Sequence, residues 1–133
     1  MKGTPGVWFL VAATMLVAFA GCGVKVTITE PADGSKQEHK VVVKGTVSNP
    51  KANIYLFARA LPDGQFVLQP SIWVREEWDG TALLGSNYDP PGGEYEIFAL
   101  VSKRGLNLPP GPVDALPEKY DAKSNVVKVY RGE

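Results

Sequence analysis

From Val24 onward the chain runs in short apolar–polar alternations broken by Gly, Pro, Asn and Asp, and no stretch holds helical apolar spacing long enough to build a helix. Successive side chains of a strand point to opposite faces, so a period of two selects half-buried β-strands. Val24, Val26 and Ile28 share one face of the first run, with Lys25, Thr27 and Thr29 on the other, and Pro31-Ala32-Asp33-Gly34 then supplies a turn. His39 to Ser48 repeats the device: Val41, Val43, Gly45 and Val47 alternate with Lys40, Val42, Lys44 and Thr46, and Asn49-Pro50 ends the run. The expectation is an all-β domain.

Asn53 to Leu61 is apolar on both faces, which predicts a central strand: Ile54, Leu56, Ala58 and Ala60 on one side, Tyr55, Phe57 and Leu61 with Arg59 on the other. Asp63-Gly64 predicts a hairpin with its return at Phe66 to Leu68. Ile72 to Arg75 and Glu77 to Leu84 read as short strands, with Asp79-Gly80 turning the chain or bulging a strand. After the loop Pro90-Pro91-Gly92-Gly93, Glu94 to Val101 directs Tyr95, Ile97, Ala99 and Val101 inward. A Pro-rich segment from Lys103 to Ser124 precedes a last strand at Asn125 to Tyr130. About seven strands over some 110 residues is the number a two-sheet sandwich needs.

The N-terminus is laid out differently. Lys2 is followed by an apolar run from Val7 to Phe19 broken only by Thr14, then by Ala20-Gly21-Cys22. This is the order of zones in a secretory signal peptide. As a helix the run would reach roughly 20 Å at ~1.5 Å per residue, short of the ~30 Å hydrocarbon core a permanent span must cross. Small residues before a Cys make Phe19-Ala20-Gly21-Cys22 resemble the lipobox of bacterial lipoproteins, with Phe19 departing from the usual Leu. The resemblance implies residues 1–21 as a signal helix removed on export, Cys22 as the lipid-bearing first residue, and 22–133 as one mature domain anchored in the cell envelope. It does not choose between the cytoplasmic and outer membranes. The alternative is an ordinary secretion signal followed by an incidental Cys. Cys22 is the only Cys in the chain, so it can form no intramolecular disulfide, and acylation would consume a thiol that is a hazard in an oxidising compartment. The domain must therefore stand without a disulfide.

Ile28-Thr29-Glu30-Pro31-Ala32-Asp33-Gly34, Val43-Lys44-Gly45-Thr46-Val47, Asp79-Gly80-Thr81 and Gly93-Glu94-Tyr95-Glu96-Ile97 together resemble the immunoglobulin-like modules of bacterial surface and lipid-anchored proteins. Leu116-Pro117 followed by Val127 to Arg131 is similar to the ending of some of them. The resemblance implies an immunoglobulin-like sandwich of the disulfide-free kind. It carries no chemistry, because the motifs are turn and strand punctuation and a shared fold transfers no function.

Little in the sequence points to catalysis. His39 is the only His, at the opening of a strand, and reads as a solvated polar residue. A metal site of His and Cys is excluded by count. Asp63, Glu76, Glu77, Asp79, Asp89, Glu94 and Glu96 lack the spacing of a Ca²⁺ loop and read as surface charge. No cofactor or metal is expected, and no enzyme. Cleavage before Cys22 would remove Lys2 alone from the 14 Lys and Arg that face 14 Asp and Glu, leaving a formal charge of −1. A balance of that kind makes no electrostatic case for nucleic acid or for an anionic membrane.

Two groups of residues are the candidates for binding. Trp73, Trp78 and Tyr88, interleaved with amides and charges, are what a carbohydrate-binding platform would use, against the alternative that they fill the core. With Tyr95, Ile97 and Ala99 inward, Phe98 and Leu100 point outward and are joined by Tyr55 and Phe57; exposed, this face is a partner site, and covered by Leu106, Leu108 and Leu116 it is a second core. The leading expectation is non-catalytic contact with another envelope protein at the membrane surface, and the alternative is glycan binding.

Overall fold

The computed structural model describes residues 23–70, 72–73, 77–85 and 91–132. The predicted signal helix, Cys22 and Tyr88 lie outside these residues. The described residues form eleven strands and no helix: β1 (Val26–Glu30), β2 (Lys36–Gln37), β3 (Lys40–Val47), β4 (Asn53–Ala60), β5 (Phe66–Leu68), β6 (Ile72–Trp73), β7 (Glu77–Leu83), β8 (Glu94–Ser102), β9 (Gly111–Val113), β10 (Ala122–Lys123) and β11 (Val127–Arg131). More strands are present than the seven or so expected, and three of them, β2, β9 and β10, are two- and three-residue pieces whose pairing depends on distant chain.

They assemble into two sheets. One is four-stranded in the order β1-β3-β7-β6, and the other runs β2-β11-β8-β4-β5-β9, with β10 also paired to β8. The inward sets of both sheets meet in one core: Val26, Ile28, Val41, Val43 and Trp78 from the first face Leu56, Ala58, Ile97, Ala99 and Val129 from the second. Full burial of each such Val, Ile or Leu contributes about 1.5–3 kcal/mol. β4 is central, between β8 and β5, which is why it is apolar on both faces.

Asp79-Gly80 does not turn the chain. Both residues lie within the ladder of β7, where Gly80 pairs with Val43 and with Ile72, and Asp79 with Lys44 and Trp73. Flanking strands on both sides override the local turn preference of Asp-Gly. Asp63-Gly64 lies where the hairpin was expected, between β4 and β5, with the Gly64 N–H donating to the Ala60 carbonyl at 2.8 Å.

Polar side chains close the seams between the sheets. The Asn125 carboxamide accepts the Ile28 N–H at 2.8 Å and donates to the Ile28 carbonyl at 3.2 Å, joining β1 of one sheet to the start of β11 in the other. On the opposite flank buried Gln69 accepts the Leu83 N–H at 3.0 Å and donates to the Val67 carbonyl at 3.0 Å. Each amide thereby satisfies backbone groups that a sheet edge would leave open.

Candidate functional site

The two sheets offer very different outer faces. On the seven-stranded sheet Tyr55, Phe57, Phe98 and Leu100 do lie together, but Phe57, Phe98 and Leu100 are fully buried, beneath Phe66, Leu108, Val113 and Leu116. Phe57 and Phe98 stack at 5.7 Å between centroids, and Phe66 meets Phe98 edge-on at 5.6 Å. Arg59 closes one side, 4.5 Å over the Phe66 ring and paired with Glu96 at 2.6 Å; Lys123 lies 4.6 Å over the Phe98 ring. This second core is built by the Pro-rich segment, which pairs β9 onto β5 and β10 onto β8. The face is therefore corrected from a partner site to an interior surface, because the chain itself occupies it.

Tyr55 pins the segment at its other end. Its hydroxyl accepts the Leu106 N–H at 2.8 Å and lies 3.4 Å from the Leu106 carbonyl, to which it donates. Tyr55→Phe should lower stability by about 1–2 kcal/mol, the cost of leaving a partly buried N–H unpaired. Protease cleavage within residues 103–110 should rise with it, while a variant as resistant as the parent would show that the segment is held without this contact.

The proposed aromatic platform loses its central member. Trp78 is 1% exposed, in the main core, with its Nε1 donating to the Thr46 carbonyl at 3.1 Å. Opposite it on β3 stands Gly45, whose missing side chain makes the room the indole fills. Trp78 is thus a packing residue and cannot stack on a sugar. The backbone of Trp73 pairs with Asp79 in β6; its side chain and the whole of Tyr88 lie outside the described residues.

His39 sits beside the Gly85 carbonyl, 3.0 Å from its Nε2. Glu96 is engaged by Arg59, and among the described residues no three of His, Cys, Asp and Glu gather as metal ligands. Glu76 and Asp89 lie outside the described residues.

Among the described residues, nothing covers the outer face of the four-stranded sheet. Val42 is 56% exposed and Leu83 42%, on strands paired so that Lys40 faces Leu83 and Val42 faces Thr81; the two apolar side chains are diagonal neighbours among Lys40, Lys44, Thr46 and Thr81. Diagonal cross-strand residues are within reach of one another. The sequence held the signal for Val42, an apolar residue on the otherwise polar face of its strand. It held less for Leu83, whose neighbour Leu84 is fully buried while Leu83 turns out. Compared with known proteins, the chain matches no family model and no curated sequence.

Proposed function

We propose that this protein is a lipid-anchored, immunoglobulin-like envelope module that works by non-catalytic contact with another protein through the open face of its four-stranded sheet. What supports the immunoglobulin-like reading is that the order β1-β3-β7-β6 can be read as strands A-B-E-D and β11-β8-β4 as G-F-C, with β2 crossing to pair in parallel with β11. On that reading Val43 on β3 and Ile97 on β8, both fully buried, would stand on the two strands that carry the disulfide of antibody domains. The observation that carries the contact reading is the Val42–Leu83 pair. It is apolar, solvent-facing and framed by Lys, Thr and Asp79, whereas the opposite face of the molecule is covered by the chain itself.

Core packing begins at Val24, 9% exposed, so an anchor on Cys22 leaves only Gly23 between lipid and fold. A module held this close reaches little further than its own length, and its partner belongs at the membrane surface. A photo-crosslinking residue at position 42 in the full chain, in its native envelope, should yield a discrete protein adduct that Leu83→Lys abolishes. If position 42 gives no adduct that position 126, just before β11 of the other sheet, does not also give, the contact reading fails. The anchor is tested separately by palmitate labelling, which Cys22→Ser should remove.

A further inference from the structure

Strand register gathers one end of the sandwich around the start of the fold: Val26 pairs with Val47, Thr46 with Glu77 and Asn53 with Ser102. Among the described residues, this end carries Lys25, Lys51, Lys103, Arg104 and Lys119 against Glu77, Glu118 and Asp121. Toward the opposite end lie Asp33, Glu38, Asp63, Glu94 and Asp114 against Lys36, Lys40, Lys128 and Arg131, a near balance. Among the described residues the cations are thus in excess at the end where the fold begins.

Three of the cations converge. Lys103, Arg104 and Lys119 line a groove of about 460 Å³ with Ser102, Tyr120 and Asp121. The Lys103 N–H donates to the Asp121 carboxylate at 2.6 Å, which ties the end of the Pro-rich segment to the end of β8 and brings Lys119 to Lys103 and Arg104. Asp121 also lines a second groove, of about 510 Å³, that is bounded by Gly23 and Lys25. The cationic groove therefore lies beside the residue that follows Cys22. Tyr120, 42% exposed on its rim, is an amphipathic side chain of the kind that settles at headgroup level.

We propose that this end of the domain is a contact surface for acidic phospholipid headgroups, with the groove of Lys103, Arg104 and Lys119 as its centre. It would orient the module on the bilayer, leaving the opposite end away from the membrane and the open face of the four-stranded sheet to the side. Attraction between juxtamembrane cations and an acidic leaflet falls off within a Debye length, about 8 Å at physiological salt, so only side chains this near the bilayer take part. The inference rests on the anchor reading for its location and on the charge arrangement for its chemistry, and the two can be tested apart.

Among the described residues both cores are built from residues 24–129, so the domain of residues 23–133 is used without its lipid. It should co-sediment with phosphatidylglycerol vesicles in low salt and not with phosphatidylcholine vesicles. Changing Lys103, Arg104 and Lys119 together to Gln should weaken the partition about 100-fold, while Lys36→Gln with Lys40→Gln at the other end should leave it within about twofold. Equal loss from the two sets, or no preference for phosphatidylglycerol, would overturn the proposal. Binding by the domain together with a full chain that takes up no palmitate would retain the surface and discard the anchor.

Discussion

Gly45→Ala should lower the stability of the domain by about 3 kcal/mol or more, the upper part of the range for an overpacked core. A Cβ at this position would run into the Thr27 carbonyl oxygen and into the Trp78 ring, both well inside van der Waals contact. The strands on either side of β3 hold it in place, Thr27 against Thr46 and Trp78 against Gly45, so β3 cannot back away without opening two ladders. Thermal unfolding followed by circular dichroism should move down by roughly 10–25 °C, at about 4–8 °C per kcal/mol for a domain of this size. Because the Thr27 oxygen belongs to the backbone, shrinking the ring with Trp78→Phe should not restore the loss. A Gly45→Ala domain that melts within a few degrees of the parent would mean that the indole does not lie across Gly45.

Trp78→Ala should cost about 3–5 kcal/mol, the range for truncating a buried aromatic. The indole is 1% exposed in the core between the sheets, and its removal leaves both a cavity and the Thr46 carbonyl without its indole donor. Urea unfolding should show the midpoint falling with little change in slope, since the surface exposed on unfolding is nearly the same. A loss below about 1 kcal/mol would place the indole at the surface and return it to the candidates for ligand stacking.

What could be read before the fold was known depended on how local its cause was. The inward sets of β1, β3 and β8 follow from a period of two within one strand, and Val26, Ile28, Val41, Val43, Tyr95 and Ile97 all take the predicted side. The two-faced apolar pattern of β4 announced a central strand for the same reason. Asp79-Gly80 misled because dipeptide turn preference is weak beside two flanking ladders. The Pro-rich segment was legible as a possible cover, through Leu108 and Leu116, but its short strands β9 and β10 were not, since three-residue and two-residue strands exist only by virtue of their partners.

The candidate surfaces show the same division. By itself the sequence determined that the chain would be built of strands, which side chains each strand would send to one face, that no disulfide would cross-link the domain, and that its formal charge would be near zero. Which strands joined which sheet, that Trp78 would lie against Gly45, that Phe57 and Phe98 would be roofed, that Val42 and Leu83 would stay open, and that Lys103, Arg104 and Lys119 would line one groove were decided by tertiary structure alone. The physical reason is range. Alternation is a property of neighbouring residues on one backbone, whereas burial, cover and local charge depend on residues that meet only after the chain has closed, as Tyr55 and Leu106 do, or Ile28 and Asn125.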